Sequence, residues 1–264
     1  MGRLLNYLGL AADYVVLNLR AHMEYRASFY WQIGSMFVNN CMWVAFWAIF
    51  FTRFPVLRGW TVDDVITIWA LAATGFGLAH AIYGNASVLA TVIAQGQLDA
   101  WMLYPRALLS HMLLGRMSAS AWGDALFGYV IFVLFVQPDL ARFGLFVLLS
   151  LSVALLFVGF SVATGSLSFF LGNATELATQ WRMSMLTFST YPSVLFDGGV
   201  RVLLFTLVPT MFVTHFPVLA LRDLSLWNAL LAFMGALTML LIAVVVFYAG
   251  LRRYESGNLM EMRG

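Results

Sequence analysis

Long apolar stretches are the feature that most constrains what this chain can fold into. Five segments consist almost wholly of apolar residues: residues 29–51, 65–83, 122–136, 143–171 and 226–249. A helix needs about 20 apolar residues to cross the hydrocarbon core of a bilayer, so these segments predict membrane-spanning helices. The fourth segment is longer than a straight crossing requires, which predicts a tilted helix or one that extends into water.

The composition supports this class and excludes others. Of 264 residues, 62% are hydrophobic and 10% are charged, whereas soluble domains have about 45–50% apolar and about 25% charged residues. So little polar surface cannot cover a soluble globule. A disordered chain is excluded as well, because disorder requires low hydrophobicity and high charge. The net charge is +2, and no dense basic stripe marks a nucleic-acid binder. We expect one all-α, polytopic membrane domain over residues 1–264.

Residues 181–221 break the apolar pattern. Asp197 and Arg201 lie there, four positions apart. An unpaired charge at mid-bilayer costs about 3 kcal/mol, and irregular backbone at membrane depth is tolerated only where it is buried in protein or lines a cavity. We therefore expect this region to face the working interior. The residues that interrupt the pattern are Pro192, Pro209, Pro217, Gly198 and Gly199.

Two arrangements of this region are compatible with the sequence. In the first, a kinked fifth helix over about 183–196 leads into a re-entrant hairpin, so that the whole unit spans residues 183–218. In the second, an interfacial helix is followed by a span over about 200–213. Both arrangements give six transmembrane helices in all.

The distribution of arginine predicts the orientation. Cytoplasmic loops carry an excess of basic residues, and this chain has 14 Arg and no Lys. With six crossings and the N-terminus inside, nine arginines lie inside and four outside, so both termini are expected in the cytoplasm, including a cytoplasmic tail over 250–264. The inside set is Arg3, Arg20, Arg26, Arg106, Arg116, Arg182, Arg252, Arg253 and Arg263; the outside set is Arg53, Arg58, Arg142 and Arg222; Arg201 is undecided.

Residues 1–27 have an amphipathic, helical pattern rather than that of a cleavable signal peptide. Asn6, Asp13 and Arg20 recur every seven residues. This period predicts a helix that lies in the membrane interface, or one that packs on the protein's own surface. The residues on the apolar side are Leu4, Leu8, Ala11, Val15, Leu19 and Met23.

Polar residues inside the predicted spans are costly in lipid, so they either join helices by hydrogen bonds or line a pathway. Asn39 and Asn40 lie deep in the first span, and Glu176 is the one acid expected to be buried. Small residues at Gly159 and Gly165 predict close helix packing. The chain lacks metal-ligand spacings and a serine-protease motif, and a chain without Lys has no P-loop. We expect no catalytic residue, cofactor or metal in this chain.

The most specific segment is residues 93–106, between the second and third spans. Gly96 is suited to end a helix, Asp99 to cap a short one and Pro105 to stop it. An exposed apolar helix face at the inner membrane surface is typical of a partner site. We expect that face to consist of Leu98, Trp101 and Met102. The candidate coupling residues are Gly96, Leu98, Asp99, Trp101, Met102, Pro105 and Arg106.

Three segments together resemble permease subunits of bacterial ATP-binding-cassette exporters, in the six-span exporter group. The loop from Gly96 to Pro105 resembles that group's Gly-x-Leu-Asp-x-x-Leu-x-x-Pro, with Met102 at the second Leu. The segment Tyr191 to Phe196 resembles its Tyr-Pro-x-x-x-Phe, and the tail from 253 to 258 resembles its cytoplasmic end. One departure is that the group usually has Arg just before the loop proline.

The resemblance implies an exporter with two permeases, identical or homologous, and two separate ATPases that bind ATP and Mg²⁺. It implies a bacterial inner-membrane location and contact with membrane lipids. The aromatic, nearly uncharged interior that the sequence predicts favours an amphipathic or hydrophobic substrate. The region 191–217 is then the outer gate. An ion-coupled secondary transporter that works without an ATPase is the alternative. The pathway or gate candidates are Asn39, Asn40, Tyr191, Pro192, Asp197, Arg201 and Pro209.

Overall fold

The computed structural model describes residues 2–254, and within them the chain is helical. The only β pairing in this part of the chain is an isolated bridge between Leu57 and Trp60. The predicted all-α class is confirmed. The predicted tail over 250–264 lies mostly outside the described residues.

Thirteen α-helices make up the described part of the chain, with short 3-10 turns and one π-helical segment between some of them. In chain order they are α1 (Gly2–Met23), α2 (Arg26–Arg53), α3 (Val62–Ile82), α4 (Leu89–Ala94), α5 (Leu98–Met102), α6 (Leu108–Leu114), α7 (Ser120–Ile131), α8 (Leu140–Gly165), α9 (Ser168–Leu171), α10 (Thr175–Phe188), α11 (Gly198–Thr206), α12 (His215–Asp223) and α13 (Leu226–Leu251).

Four helical stretches in the described residues are long and apolar enough to cross a membrane. They are α2, α3, the continuous stretch Leu140–Leu171, and α13. The pair Gly198–Thr206 and Thr210–Asp223 meets at an angle of 70° and is a broken span or a re-entrant loop. The helical stretch Ser120–Val136 is apolar but shorter. The chain is therefore a multi-pass membrane protein, and four or five crossings follow from helix length and composition.

The fifth helix was predicted wrongly. It was expected over residues 183–196, whereas α10 runs over Thr175–Phe188. Its first two turns contain Glu176, Gln180 and Arg182, with Glu176 and Gln180 exposed. Because these polar residues interrupt the apolar pattern, hydropathy alone placed the start of the helix too late. The helix ends before Pro192, which cannot donate a backbone hydrogen bond to continue it.

The central helix of the bundle is α3, which packs between α7 and α8. Glycines make this close approach possible: a Cβ on Gly77 would lie 2.6 Å from the carbonyl oxygen of Ala121 in α7. The prediction of close packing at Gly159 is confirmed, since a Cβ there would lie 3.1 Å from the backbone nitrogen of Leu240 in α13. Substitution at either glycine therefore requires neighbouring helices to move apart.

Helix α1 lies against the end of the bundle that carries α6 and the α6–α7 connection. Leu19 and Met23 pack beside the buried cluster of Phe29, Met117 and Ala119. Asp13 and Arg20 are exposed, as the seven-residue period predicts. Val16 and Leu17 are also exposed, at 46% and 62%. One apolar face of α1 therefore packs on the protein, while further apolar side chains remain uncovered.

Candidate functional site

A cavity of about 300 Å³ lies between α2, α3, α7 and α10. It brings together three of the predicted pathway residues: Asn39 and Asn40 of α2, and Tyr191, which follows the end of α10. Its most informative lining residues are Asn39, Asn40, Trp43, Trp69, Asp124 and Tyr191. The cavity is thus formed by aromatic walls with a few polar groups, the pattern that small-molecule sites share.

A buried polar contact at this cavity joins Asn40 and Asp124. Both side chains are buried, and the Asn40 Nδ2 donates to Asp124 Oδ1 over 2.6 Å. A buried carboxylate needs such donors, because burial without them is costly. The expectation that Glu176 is the buried acid is wrong, because Glu176 is exposed, whereas Asp124 and Asp64 are buried. The sequence signal was present, since Asp124 interrupts the apolar run 122–136.

Aromatic side chains form one wall of the cavity. The rings of Trp43 and Trp69 stack with their centroids 5.7 Å apart. Just beyond them, the Trp47 ring packs edge-on against Tyr191 at 5.9 Å. Sequence analysis did not single out the stacked pair of Trp43 and Trp69. Its two rings come from different helices, so no local spacing reveals it.

The remaining gate candidates do not line this cavity. Pro192 is buried directly after Tyr191, and Pro209 is buried between α11 and the next 3-10 turn. Arg201 is exposed, with its guanidinium 6.0 Å from the ring of Phe205. Asp197 is exposed and pairs with Arg58 over 2.6 Å.

Asp197 and Arg201 therefore lie outside the cavity between the helices, at positions that are exposed on the single chain. The partner of Asp197 comes from the α2–α3 connection, and Arg58 also donates to the carbonyl oxygen of Val194 over 3.0 Å. A second link at this end joins Arg222 of α12 to Asp64 at the start of α3, over 3.6 Å. The broken region is thus tethered to the connection between the first two long helices.

The segment 93–106 folds as a short helix between two turns. Gly96 has φ = 70°, a conformation that favours glycine, and follows the end of α4 as predicted. Helix α5 then includes Leu98 to Met102 and ends before Pro105. Asp99 lies beside Tyr254, just after α13, and burial raises the pKa of that tyrosine.

The exposed face of this segment differs from the predicted one. Leu98 is completely buried and Trp101 is half-buried, with its ring covering Gly115. The exposed apolar residues are instead Met102 at 52%, Leu103 at 85% and Tyr104 at 57%. We call these three residues the apolar tip. Pro105 and Arg106 beside it are also exposed.

Helix α1 is fastened to the chain that follows the tip. A hydrogen bond of 2.5 Å joins the Tyr14 hydroxyl and His111 Nε2. Asn18 and His22 contact the carbonyl oxygens of Leu114 and Met117, each over 3.2 Å. Burial lowers the pKa of His111, and the nearby guanidinium of Arg106 lowers it further. Helix α1 and α6 are therefore joined by several polar contacts.

Comparison with known families identifies the chain. The model of the ABC-2 family transporter protein matches residues 37–257, which include most of α2 and every helix from α3 to α13. No curated protein and no solved structure matches the chain significantly. The chain therefore belongs to the ABC-2 transporter family, as a membrane component of an ATP-binding-cassette transporter.

Proposed function

We propose that this chain is the permease of an exporter driven by ATPases on separate chains, with an amphipathic or hydrophobic substrate. The observation that carries the proposal is the family match over residues 37–257, taken with an exposed apolar tip on the loop where the resemblance expects ATPase contact. Isolated exposed apolar residues are ordinary, but three in succession on one turn favour a partner site.

The apolar tip is well connected to the rest of the fold, which a mechanical coupling element requires. Leu98, at the start of the helix that leads to the tip, is buried in the main hydrophobic core. Trp101 packs edge-on against His111 of α6, with ring centroids 5.3 Å apart, and His111 binds Tyr14 of α1. A force applied at the tip therefore acts on α1, α6 and the core together.

The aromatic cavity is the proposed pathway. Alternating access requires two arrangements of rigid elements around a fixed path, with different affinities for substrate. The cavity lies between α2 and α10, and α2 is the least buried of the four long apolar helices. A second permease that packs against α2 would close the cavity from the side. The tethered region 191–217 would then act as the outer gate.

The proposed membrane arrangement has six crossings with both termini in the cytoplasm of a bacterial cell. The crossings are α2, α3, Ser120–Val136, Leu140–Leu171, α10 with the broken pair, and α13. The excess of arginine near the predicted inner loops supports this orientation. The inner membrane is the compartment that the resemblance implies.

The alternative, an ion-coupled secondary transporter, gains one observation. Asp124 is a buried carboxylate on the cavity wall, and intramembrane acids are typical of proton relays. Its amide partner Asn40 gives it a structural role as well. Replacement of Asp124 by Asn distinguishes the two functions, because ATP-driven transport does not require a titrating group there.

The test is transport in sealed vesicles that contain the chain and the ATPase that co-purifies with it. A panel of hydrophobic dyes is followed with ATP, and separately with a proton gradient and no ATP. We expect dye movement with ATP only, and we expect it to persist in Asp124→Asn. Movement driven by the proton gradient alone and lost in Asp124→Asn would replace this proposal with the ion-coupled one.

A further inference from the structure

A second cavity, of about 370 Å³, adjoins the aromatic cavity on the side of α1 and the α6–α7 connection. The two spaces share Phe76 and Asp124 as lining residues. The second is far more polar, since its lining includes arginine, histidine and serine side chains. An aromatic space and a polar space therefore meet at Phe76 and Asp124.

The polar cavity carries excess positive charge. Arg116 and Arg182 line it, and neither forms an ion pair with an acid among residues 2–254. Arg182 is half-buried and donates to the carbonyl oxygen of Ser87. The one carboxylate of the lining belongs to Asp124, whose Oδ1 accepts from Asn40. Even with its histidines neutral, the cavity has two guanidinium groups against one carboxylate.

A buried histidine supplies an independent indication of a ligand. His80 lines the polar cavity and is only 7% exposed. Its Nδ1 lies 2.9 Å from the carbonyl oxygen of Phe76, and because a carbonyl only accepts, Nδ1 carries the ring proton. Its Nε2 is buried and has no hydrogen-bond partner within the described chain. Buried polar atoms are rarely left in that state, so a water molecule or a ligand group is expected to bond Nε2.

We infer that the polar cavity binds the acidic head group of an amphipathic substrate, while the substrate's apolar part lies against Trp43, Trp69 and Phe76. This inference rests on the proposed transport function. Guanidinium groups bind phosphate or carboxylate oxygens through charge-assisted hydrogen bonds. The free Nε2 of neutral His80 accepts from an acid O–H, which a singly protonated phosphate provides. The arrangement therefore fits a phosphate monoester better than a cation of similar shape.

The test is binding of 1-naphthyl phosphate to the full chain in nanodiscs of phosphatidylcholine, followed by naphthalene fluorescence. The matched probes are 1-naphthol and 1-naphthylmethylammonium, which keep the ring and remove or reverse the charge. We expect the phosphate to bind about 10- to 100-fold more tightly than either probe, as the loss of hydrogen bonds to charged groups implies. Equal binding of the three probes would overturn the inference.

Variants assign the effect to this cavity. Arg182→Gln is expected to remove most of the preference for the phosphate, and Arg182→Lys to restore part of it. Arg252→Gln is the matched control, because Arg252 is exposed at the far end of α13 and lies outside the cavity lining. Arg182→Gln also removes the hydrogen bond to the carbonyl oxygen of Ser87. A second variant, Arg116→Gln, changes an exposed position instead and is expected to weaken phosphate binding less than Arg182→Gln does. Unchanged phosphate binding in both glutamine variants would refute the site.

Two further arms identify the source of the head group. Nanodiscs of equal parts phosphatidylcholine and phosphatidic acid, the lipid whose head group is a phosphate monoester, displace the probe if an acidic lipid is the natural occupant, and leave binding unchanged if it is a soluble amphiphile. Inorganic phosphate that competes as well as naphthyl phosphate would contradict the amphipathic part of the inference. Because no ATPase is present, failure here leaves the proposed transport function standing, and that function is judged by ATP-driven transport.

Discussion

Leu103 and Leu98 form a matched pair that tests the coupling role of the segment 93–106. They are the same residue type, five positions apart, but Leu103 is 85% exposed and Leu98 is completely buried. We predict that Leu103→Ala weakens binding of the ATPase and leaves the fold intact. We predict that Leu98→Ala instead acts mainly by lowering the stability of the fold.

The expected sizes follow from burial. Truncation of Leu to Ala removes three carbons, at about 0.8 kcal/mol per buried carbon, so a Leu103 side chain fully covered by the ATPase contributes about 2 kcal/mol. That corresponds to a roughly 30-fold weaker complex. At the buried Leu98 the same truncation leaves a cavity and costs about 2–5 kcal/mol of folding free energy.

Two assays on the purified full chain in nanodiscs separate these effects. The affinity for the co-purifying ATPase is measured by titration, and stability by the midpoint of thermal unfolding. Leu103→Ala should keep the wild-type midpoint and lose about 30-fold in affinity. Wild-type affinity in Leu103→Ala, at unchanged stability, would show that the apolar tip is not where the ATPase binds.

Three further predictions concern single contacts, each read as a shift in thermal unfolding. Asn40→Ala leaves Asp124 without its amide donor and should cost about 1–2 kcal/mol, whereas Asn39→Ala, at an exposed position, should cost little. Because burial lowers the pKa of His111, the unfolded chain holds this proton at pH values where the folded chain has released it. Stability should therefore fall as the pH drops below about 6.5, and less so in His111→Phe; identical pH profiles would contradict this. Arg58→Ala breaks an exposed ion pair and should change stability by less than about 1 kcal/mol.

The sequence predicted the helices whose positions depend on hydropathy alone. Residues 29–51, 65–83 and 226–249 match α2, α3 and α13 to within a few residues. The turn at Gly96 was also predictable, because its left-handed backbone is a local preference. These features depend on residue type and spacing within one segment.

The features that sequence reasoning missed depend on contacts between segments. The burial of Leu98 is set by packing against the core, so an amphipathic pattern alone assigned it to the wrong face. The pairing of Asp197 with Arg58 joins residues 139 positions apart. Asp124 was visible as an interruption in an apolar run, but its amide partner lies in another helix. The aromatic cavity likewise exists only once α2, α3, α7 and α10 are assembled.

The central claim is that this membrane component is driven by an ATPase on another chain. The most direct measurement is purification of the tagged chain in a mild detergent, with mass spectrometry of every protein that co-purifies in fixed ratio. We predict a stoichiometric partner that carries a Gly-x-x-x-x-Gly-Lys-Ser/Thr loop, and its loss from the complex in Leu103→Ala but not in the exposed control Arg252→Gln. A stable chain that purifies without any such partner, and transports without ATP, would contradict the account.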